Sequence, residues 1–241
     1  MKEPESTRRR IDGLLRRHPS GDGVVGALEG LCTAMAEDLA LLGAVVTLLP
    51  GVGAHAVSAA SSTAARRIEE AQFGVGEGPT REAFSARRPV LVAELQLSGV
   101  RRWPGWAPDA LAAGVGAAYA FPLHVGASIF GVLTAYRAAP PLDAAELETA
   151  LVFAESATEL LLDGFAPVDG RDVGLESGLD ATLGTNGAVY QAQGKVMVAL
   201  GVSLPEALAR MRAHAWATGQ ALDDLARDIL EGRTMPTRDP R

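Results

Sequence analysis

The sequence is short of the residues on which most redox and hydrolytic chemistries depend. Cysteine occurs once, as Cys32, which excludes an internal disulfide, a CxxC redox pair and a multi-cysteine zinc site. A reducing cytoplasm is the expected compartment. Histidine occurs four times, as His18, His55, His124 and His214, far apart in sequence and without an HExxH or other metal-ligand spacing. No phosphate-binding loop is present, and Gly74-x-Gly76-x-Gly78 precedes no βαβ unit, so it is no dinucleotide fingerprint. These absences point away from an enzyme and imply neither cofactor nor metal. Positive charge is also scarce: 22 basic residues face 29 acidic ones, a net charge of -7. Taken over the whole chain, that opposes general attraction to a phosphate backbone.

Long apolar runs are missing as well. Residues 39–65 and 110–136 carry no charge. The first is interrupted by Pro50-Gly51-Val52-Gly53, leaving an apolar run too short to span a bilayer. The second holds Pro122, His124 and a period-two alternation through Tyr119, Phe121, Leu123 and Val125, which is strand behaviour. The arginines at 8, 9 and 10 are followed by no apolar segment of the kind a signal peptide needs. A membrane partner is therefore not expected.

What is present is a globular balance, 48% hydrophobic and 21% charged, in an alternating helix and strand pattern. Residues 1–22 read as a polar arm with some helix. Val24, Leu28, Leu31, Met35, Leu39 and Leu42 form one apolar helical stripe, and Cys32 beside it reads as a small buried thiol. Residues 44–49 and 54–59 read as a hairpin. A helix over 63–73 leads into a glycine-rich turn, followed by a short helix at 81–86 and a strand at 89–93. Then come a Trp103-Pro104-Gly105-Trp106 loop, a helix ending near Gly114, and strands at 117–125 and 129–136. A helix over 143–163 carries two apolar seams: Leu147, Leu151, Ala154, Thr158 and Leu161, and Ala150, Phe153, Ala157 and Leu160. One seam can cover the sheet while the other meets a second subunit; a single wide core-facing surface is the alternative.

Residues 164–178 read as a linker. Three short helices follow, at 185–200, from Leu204 to Gly219, and around Leu222, Leu225 and Ile229. Ser203-Leu204-Pro205-Glu206 has the form of a capping box, with Leu204, Leu208, Met211 and Ala215 expected inward. A unit this small buries little area alone, so it is expected to lean on a dimer contact or on the preceding domain.

Several motifs resemble known families. Gln72-Phe73-Gly74-Val75-Gly76-Glu77-Gly78-Pro79-Thr80, Pro89-Val90-Leu91-Val92, Arg102-Trp103-Pro104, Gly114-Val115-Gly116, Phe121-Pro122-Leu123 and Gly131-Val132-Leu133 together resemble the GAF domain of actinobacterial regulators. Thr80 stands where such relatives often carry cysteine, so a thiol-based sensor is not expected there. Residues 178–232 resemble ANTAR, an RNA-binding antiterminator module, through Val189-Tyr190-Gln191-Ala192-Gln193-Gly194-Lys195-Val196-Met197, Leu200-Gly201-Val202-Ser203, Glu206-Ala207, Met211-Arg212 and Leu222-Asp223-Asp224-Leu225-Ala226. The family's usual lysine falls on Gln193 here, with Lys195 two residues later. The implied fold class is α+β: a GAF domain with a central antiparallel sheet flanked by helices over 23–163, then a three-helix ANTAR domain over 179–232 and a tail at 233–241.

The resemblance implies a dimeric sensor coupled to an RNA reader that binds paired stem-loops in nascent mRNA and prevents terminator formation. Gln191, Lys195 and Val198 share one expected outward face, with Gln193 and Gly194 at its edge; Arg212 and Trp216 offer a cation and a stacking ring, with Thr218 and Gln220 beyond them. Without the resemblance, Arg212 reads as a solvated charge and Trp216 as a core or dimer anchor. Trp103, Trp106, Tyr119 and Phe121 are candidates for lining a pocket for an unidentified small ligand, core packing being the alternative. A signalling or protein-interaction module in which the tail only dimerises is the competing reading. A DNA-binding helix-turn-helix is disfavoured because no helix presents several cations to a major groove.

Overall fold

A computed structural model describes residues 3–17, 23–49, 56–126, 128–164 and 187–236. The Pro50–Gly53 turn, His18, His55 and the linker at 165–178 lie outside the described residues. Helices α1 (Glu3–Leu15) and α2 (Gly23–Asp38) precede strands β1 (Gly43–Leu48) and β2 (Ala56–Ala60). Helices α3 (Thr63–Val75) and α4 (Pro79–Ala86) lead to β3 (Val90–Val92). A π-helical turn at Leu95–Gly99 runs into α5 (Val100–Arg102), then α6 (Ala107–Ala112), β4 (Ala117–Val125), β5 (Ser128–Arg137) and α7 (Ala144–Gly164). The tail holds α8 (Gly187–Leu200), α9 (Leu204–Thr218) and α10 (Leu222–Leu230). Among the described residues no helix is long and apolar enough to cross a membrane.

The five strands form one antiparallel sheet in the order β2-β1-β5-β4-β3. Alternation along β4 decides the layers, because successive side chains point to opposite faces. Ala117, Tyr119, Phe121 and Leu123 face a layer built from α1, α2 and α7. Ala118 and Ala120 face a second core with Val90, Val92, Trp103, Trp106 and Tyr136.

The first layer alters two expectations. The polar arm is part of the domain: Ile11 of α1 is fully buried against α2 and α7, and Arg10 donates to Asp38 at 2.8 Å and to Thr149 at 3.4 Å. The two seams of α7 form one wide buried surface. Ala150, Phe153, Ala154, Ala157 and Leu161 are all in the core, with α1 packed against the same helix; Leu151 remains exposed.

Leu42 also leaves the α2 stripe. The helix ends at Asp38, Ala40 takes a positive φ, and the Leu42 amide donates to the Tyr136 carbonyl at 2.8 Å as the chain enters the sheet. Cys32 is buried in this layer, and burial pushes its thiol up to about 12, so it is an inert packing residue at neutral pH.

In the tail, Val189, Ala192, Val196, Leu208, Met211, Leu225 and Ile229 form a third core. Leu204 is 47% exposed and outside that core: as the first residue of α9 it precedes the packed turns. Ser203 caps α9 by accepting from the Glu206 amide, while the Glu206 carboxylate pairs with Arg210 at 2.7 Å.

Phe153 lies at the centre of the α1, α2, α7 layer. Phe153→Ala is expected to lower the free energy of unfolding by about 3–5 kcal/mol, read from urea denaturation at constant m-value.

Candidate nucleic-acid interface and sensor core

Helix α3 carries an unusual inward stripe. Ala65, Glu69, Gln72 and Phe73 follow helical spacing and all four are buried, so the stripe that should be apolar contains a carboxylate and an amide. Three elements supply what Glu69 needs. From β1, Thr47 Oγ1 donates at 3.0 Å. From α4, Thr80 Oγ1 donates at 3.0 Å. From β5, the Tyr136 hydroxyl donates, and Gln72 Nε2 adds a bond at 2.9 Å from the next turn of α3.

Gln72 also accepts the Thr80 amide at 2.9 Å, and Thr80 Oγ1 lies 2.8 Å from Thr134 Oγ1. Burial raises the Glu69 carboxyl, against the lowering effect of its Tyr136, Thr80 and Thr47 bonds. Burial and then the Glu69 charge push the Tyr136 hydroxyl well up.

Two glycines make this packing feasible. Gly76 ends α3 at φ +83°, its amide donating to the Gln72 carbonyl at 2.9 Å. Gly78 sits at φ +138° directly over the Gln72 side chain, where any Cβ would collide. Both are conformations that L side chains rarely adopt.

The four aromatics proposed for a ligand pocket do not share one. Tyr119 and Phe121 belong to the helical layer, whereas Trp103 and Trp106 belong to the opposite core. The cause is the strand alternation that separates 119 and 121 from that face. All four are packed: Trp106 Nε1 donates to the Ile68 carbonyl at 3.1 Å, Trp103 Nε1 to Glu82 at 3.2 Å, and the Tyr119 hydroxyl accepts the Leu142 amide at 2.9 Å.

The expected RNA residues divide three ways. Gln193 is buried and donates to the Leu204 carbonyl at 2.8 Å, which takes it off the outer face. Lys195 Nζ donates to the carbonyls of Ile229 (2.6 Å) and Leu230 (3.1 Å), completing the C-terminal end of α10, where unpaired carbonyls and the helix dipole favour a cation. Gln220 donates to Asp228 at 2.6 Å, and Thr218 Oγ1 to the His214 carbonyl at 2.8 Å. Gln191 is exposed, Gly194 has open space where a Cβ would stand, and Trp216 is 71% exposed.

Arg212 is the third case. Its Nε donates to the Phe73 carbonyl at 3.0 Å, and its guanidinium lies 5.2 Å from the Phe73 ring centre. Nη2 is buried without a hydrogen-bond partner. Burial first, and then the like charge of Arg81, lower Arg212 to about 10, so it remains charged at neutral pH. Phe73 itself is packed in the tail core, 6.0 Å from the Tyr190 ring.

The Glu69 network was missed by sequence reasoning; the available signal was a glutamate and a glutamine on the stripe that joins Ala65 to Phe73.

Two predictions follow from the network. Thr80→Val keeps the shape but removes a donor to the buried carboxylate, an expected loss of about 1–3 kcal/mol by denaturant titration. Because the folded Glu69 carboxyl is raised above its ordinary 4.5, the folded state binds its proton more tightly than the unfolded one. Stability is then lost as pH rises from near 4.5 through the raised value. Glu69→Gln should flatten that part of the Tm-against-pH curve, read by thermal melts across acid to neutral pH.

Comparison with known proteins agrees with this architecture. The GAF-domain family model matches residues 27–160, and the ANTAR-domain family model matches residues 177–230. No curated protein matches the chain by sequence. Among solved structures, the GAF domain of an Acinetobacter phosphoenolpyruvate-protein phosphotransferase is similar at TM-score 0.52 and 14% identity, covering 68% of this chain and 95% of that one. The GAF domain of a Coxiella burnetii phosphoenolpyruvate-protein phosphotransferase gives TM-score 0.50 at 14% identity, with 68% and 95% covered. An N-acylhomoserine-lactone-dependent LuxR-family transcription factor from Burkholderia cenocepacia gives TM-score 0.50 at 20% identity, with 70% and 100% covered. At these identities the likeness is one of fold.

Proposed function

The chain belongs to the GAF-domain family and carries an ANTAR domain behind it, and from that premise we propose that it is a cytoplasmic RNA-binding regulator of transcription antitermination, not an enzyme. The ANTAR match carries the reading, and the exposed Trp216 beside Arg212 supports it. The Trp216 indole faces solvent, and single-stranded loop bases stack on flat aromatic side chains. Gln191 offers a donor and an acceptor to a base edge on α8.

The partner is a pair of stem-loops in nascent mRNA. A homodimer supplies two tails to two loops, so that modest affinity per tail adds through effective concentration. The GAF domain acts as the sensor. With the side chains of Glu69, Gln72, Thr80 and Tyr136 filling the inner face of its sheet, a small ligand there would have to displace this network.

The test is binding of a two-hairpin RNA followed by fluorescence anisotropy. Trp216→Ala is expected to weaken binding by about fivefold to a hundredfold, the worth of one base stack, and Gln191→Ala to weaken it and relax loop-sequence preference. Unchanged affinity in both variants, or equal affinity for duplex DNA, rejects the reading. A monomer by sedimentation at the RNA-binding concentration rejects the dimeric part.

A further inference from the structure

The two domains meet at the α3 end, and one residue of the contact, Arg212, lies one helical turn from the Trp216 on which the RNA reading depends. Phe73 belongs by sequence to the GAF domain, yet its ring is buried among tail residues. Arg212 belongs to the tail, yet its Nε is spent on a GAF carbonyl and its guanidinium lies under Gly76. Beside this contact runs a groove of about 980 Å³ between the domains, with Trp216 on one wall. Its lining includes Glu70, Glu77, Asp109 and Asp223 against Arg67 and Arg212. Burial raises the Glu70 carboxyl, with Arg66 opposing and the charge of Asp223 adding to the rise.

We propose that this junction is an inhibitory latch, in which the Phe73–Gly76 turn of the sensor domain and RNA compete for the Arg212 and Trp216 face of the tail. The proposal rests on the RNA reading above and adds its regulation. Three physical reasons converge. Arg212 cannot offer a phosphate the paired donors of its Nε edge while Nε is bonded to Phe73 and Nη2 is sealed in the junction. A nucleic-acid strand stacked on Trp216 lies against the acidic groove, where phosphate is repelled. Withdrawal of Phe73 would free Arg212 in one step, since the ring and the carbonyl that hold its guanidinium are on one residue.

The latch is also wired to the sensor interior. Gln72, the preceding residue, is fixed by Glu69, Thr80 and Tyr136. An event that repacks this network turns the last turn of α3, and with it Phe73. The coupling therefore consists of two adjacent side chains at one helix end, one reading the sheet and the other holding the tail.

The test uses the full chain and two readouts: anisotropy with the two-hairpin RNA, and phenylglyoxal labelling of Arg212 quantified by peptide mass spectrometry. Phe73→Ala is expected to speed Arg212 labelling and to bind RNA at least tenfold more tightly than the native sequence. Gly76→Ala leaves the tail core intact but places a methyl 3.1–3.3 Å from the Arg212 side chain; it should move both readouts the same way by a smaller factor. Trp216→Ala added to Phe73→Ala should abolish the gain. If labelling is unchanged in both Phe73→Ala and Gly76→Ala, there is no latch. If labelling speeds while RNA affinity stays the same or falls, the competition is wrong although the RNA reading stands. If no protein binds the RNA, the RNA reading itself fails and the competition with it.

Discussion

A carboxylate without access to water must be met by donors, and Glu69 imposes that requirement on the centre of the sensor domain. Its partners come from β1, α4 and β5 as well as from α3 itself. Four elements are thereby held at hydrogen-bonding distance in one orientation, which apolar contact alone would leave freer to slide. Removing any donor leaves a buried group unsatisfied, so the penalty is local and large compared with the net worth of one bond. The glycine-rich turn follows from the same requirement: Gln72 fills the space over Gly78, and α3 has to stop there. Where α3 stops, Phe73 is presented to the tail.

The tail depends on that presentation. Its core is small, and one of its buried aromatic rings is borrowed from the other domain. Arg212 completes the joint from the tail side through a carbonyl at the end of α3, where helix carbonyls lack intrahelical partners. Arg81 and Arg212 sit near enough for their charges to oppose each other. Packing and a directed hydrogen bond outweigh that repulsion in the observed arrangement. The repulsion lowers the differential affinity that a competing ligand needs to open the joint.

The elements were legible in the sequence because each has its own period. The α2 stripe up to Leu39, the alternation of β4 and the inward faces of α8 to α10 apart from Leu204 follow from spacing, and the motif order identifies both domains. Spacing tells which residues of one element share a face, but not which element lies across from them. Tyr119 and Trp103 therefore look like one group in the sequence although the sheet separates them, and nothing in the spacing along α7 shows that α1 packs against it. Long polar side chains are harder still. Gln193, Lys195 and Arg212 end on carbonyls 11, 34 and 139 positions away in sequence. A surface charge and a helix cap look identical in sequence when the cap belongs to another element.

This has a consequence for how the proposed reader meets RNA. The net charge of -7 lies mostly in the sensor domain, and residues 185–220 are net positive through Lys195, Arg210 and Arg212 against Glu206. All three cations already have protein partners: helix carbonyls of α10, Glu206, and the Phe73 carbonyl. Little positive charge is left to draw phosphate non-specifically, and the salt dependence of any affinity should be shallow as long as these bonds persist. Recognition must then come from stacking and base-edge contacts at Trp216 and Gln191, with electrostatic help arriving only when Arg212 is released. The proposed reader would discriminate by loop geometry first and gain its cation second, with the acidic side chains of the groove repelling RNA that offers phosphate alone.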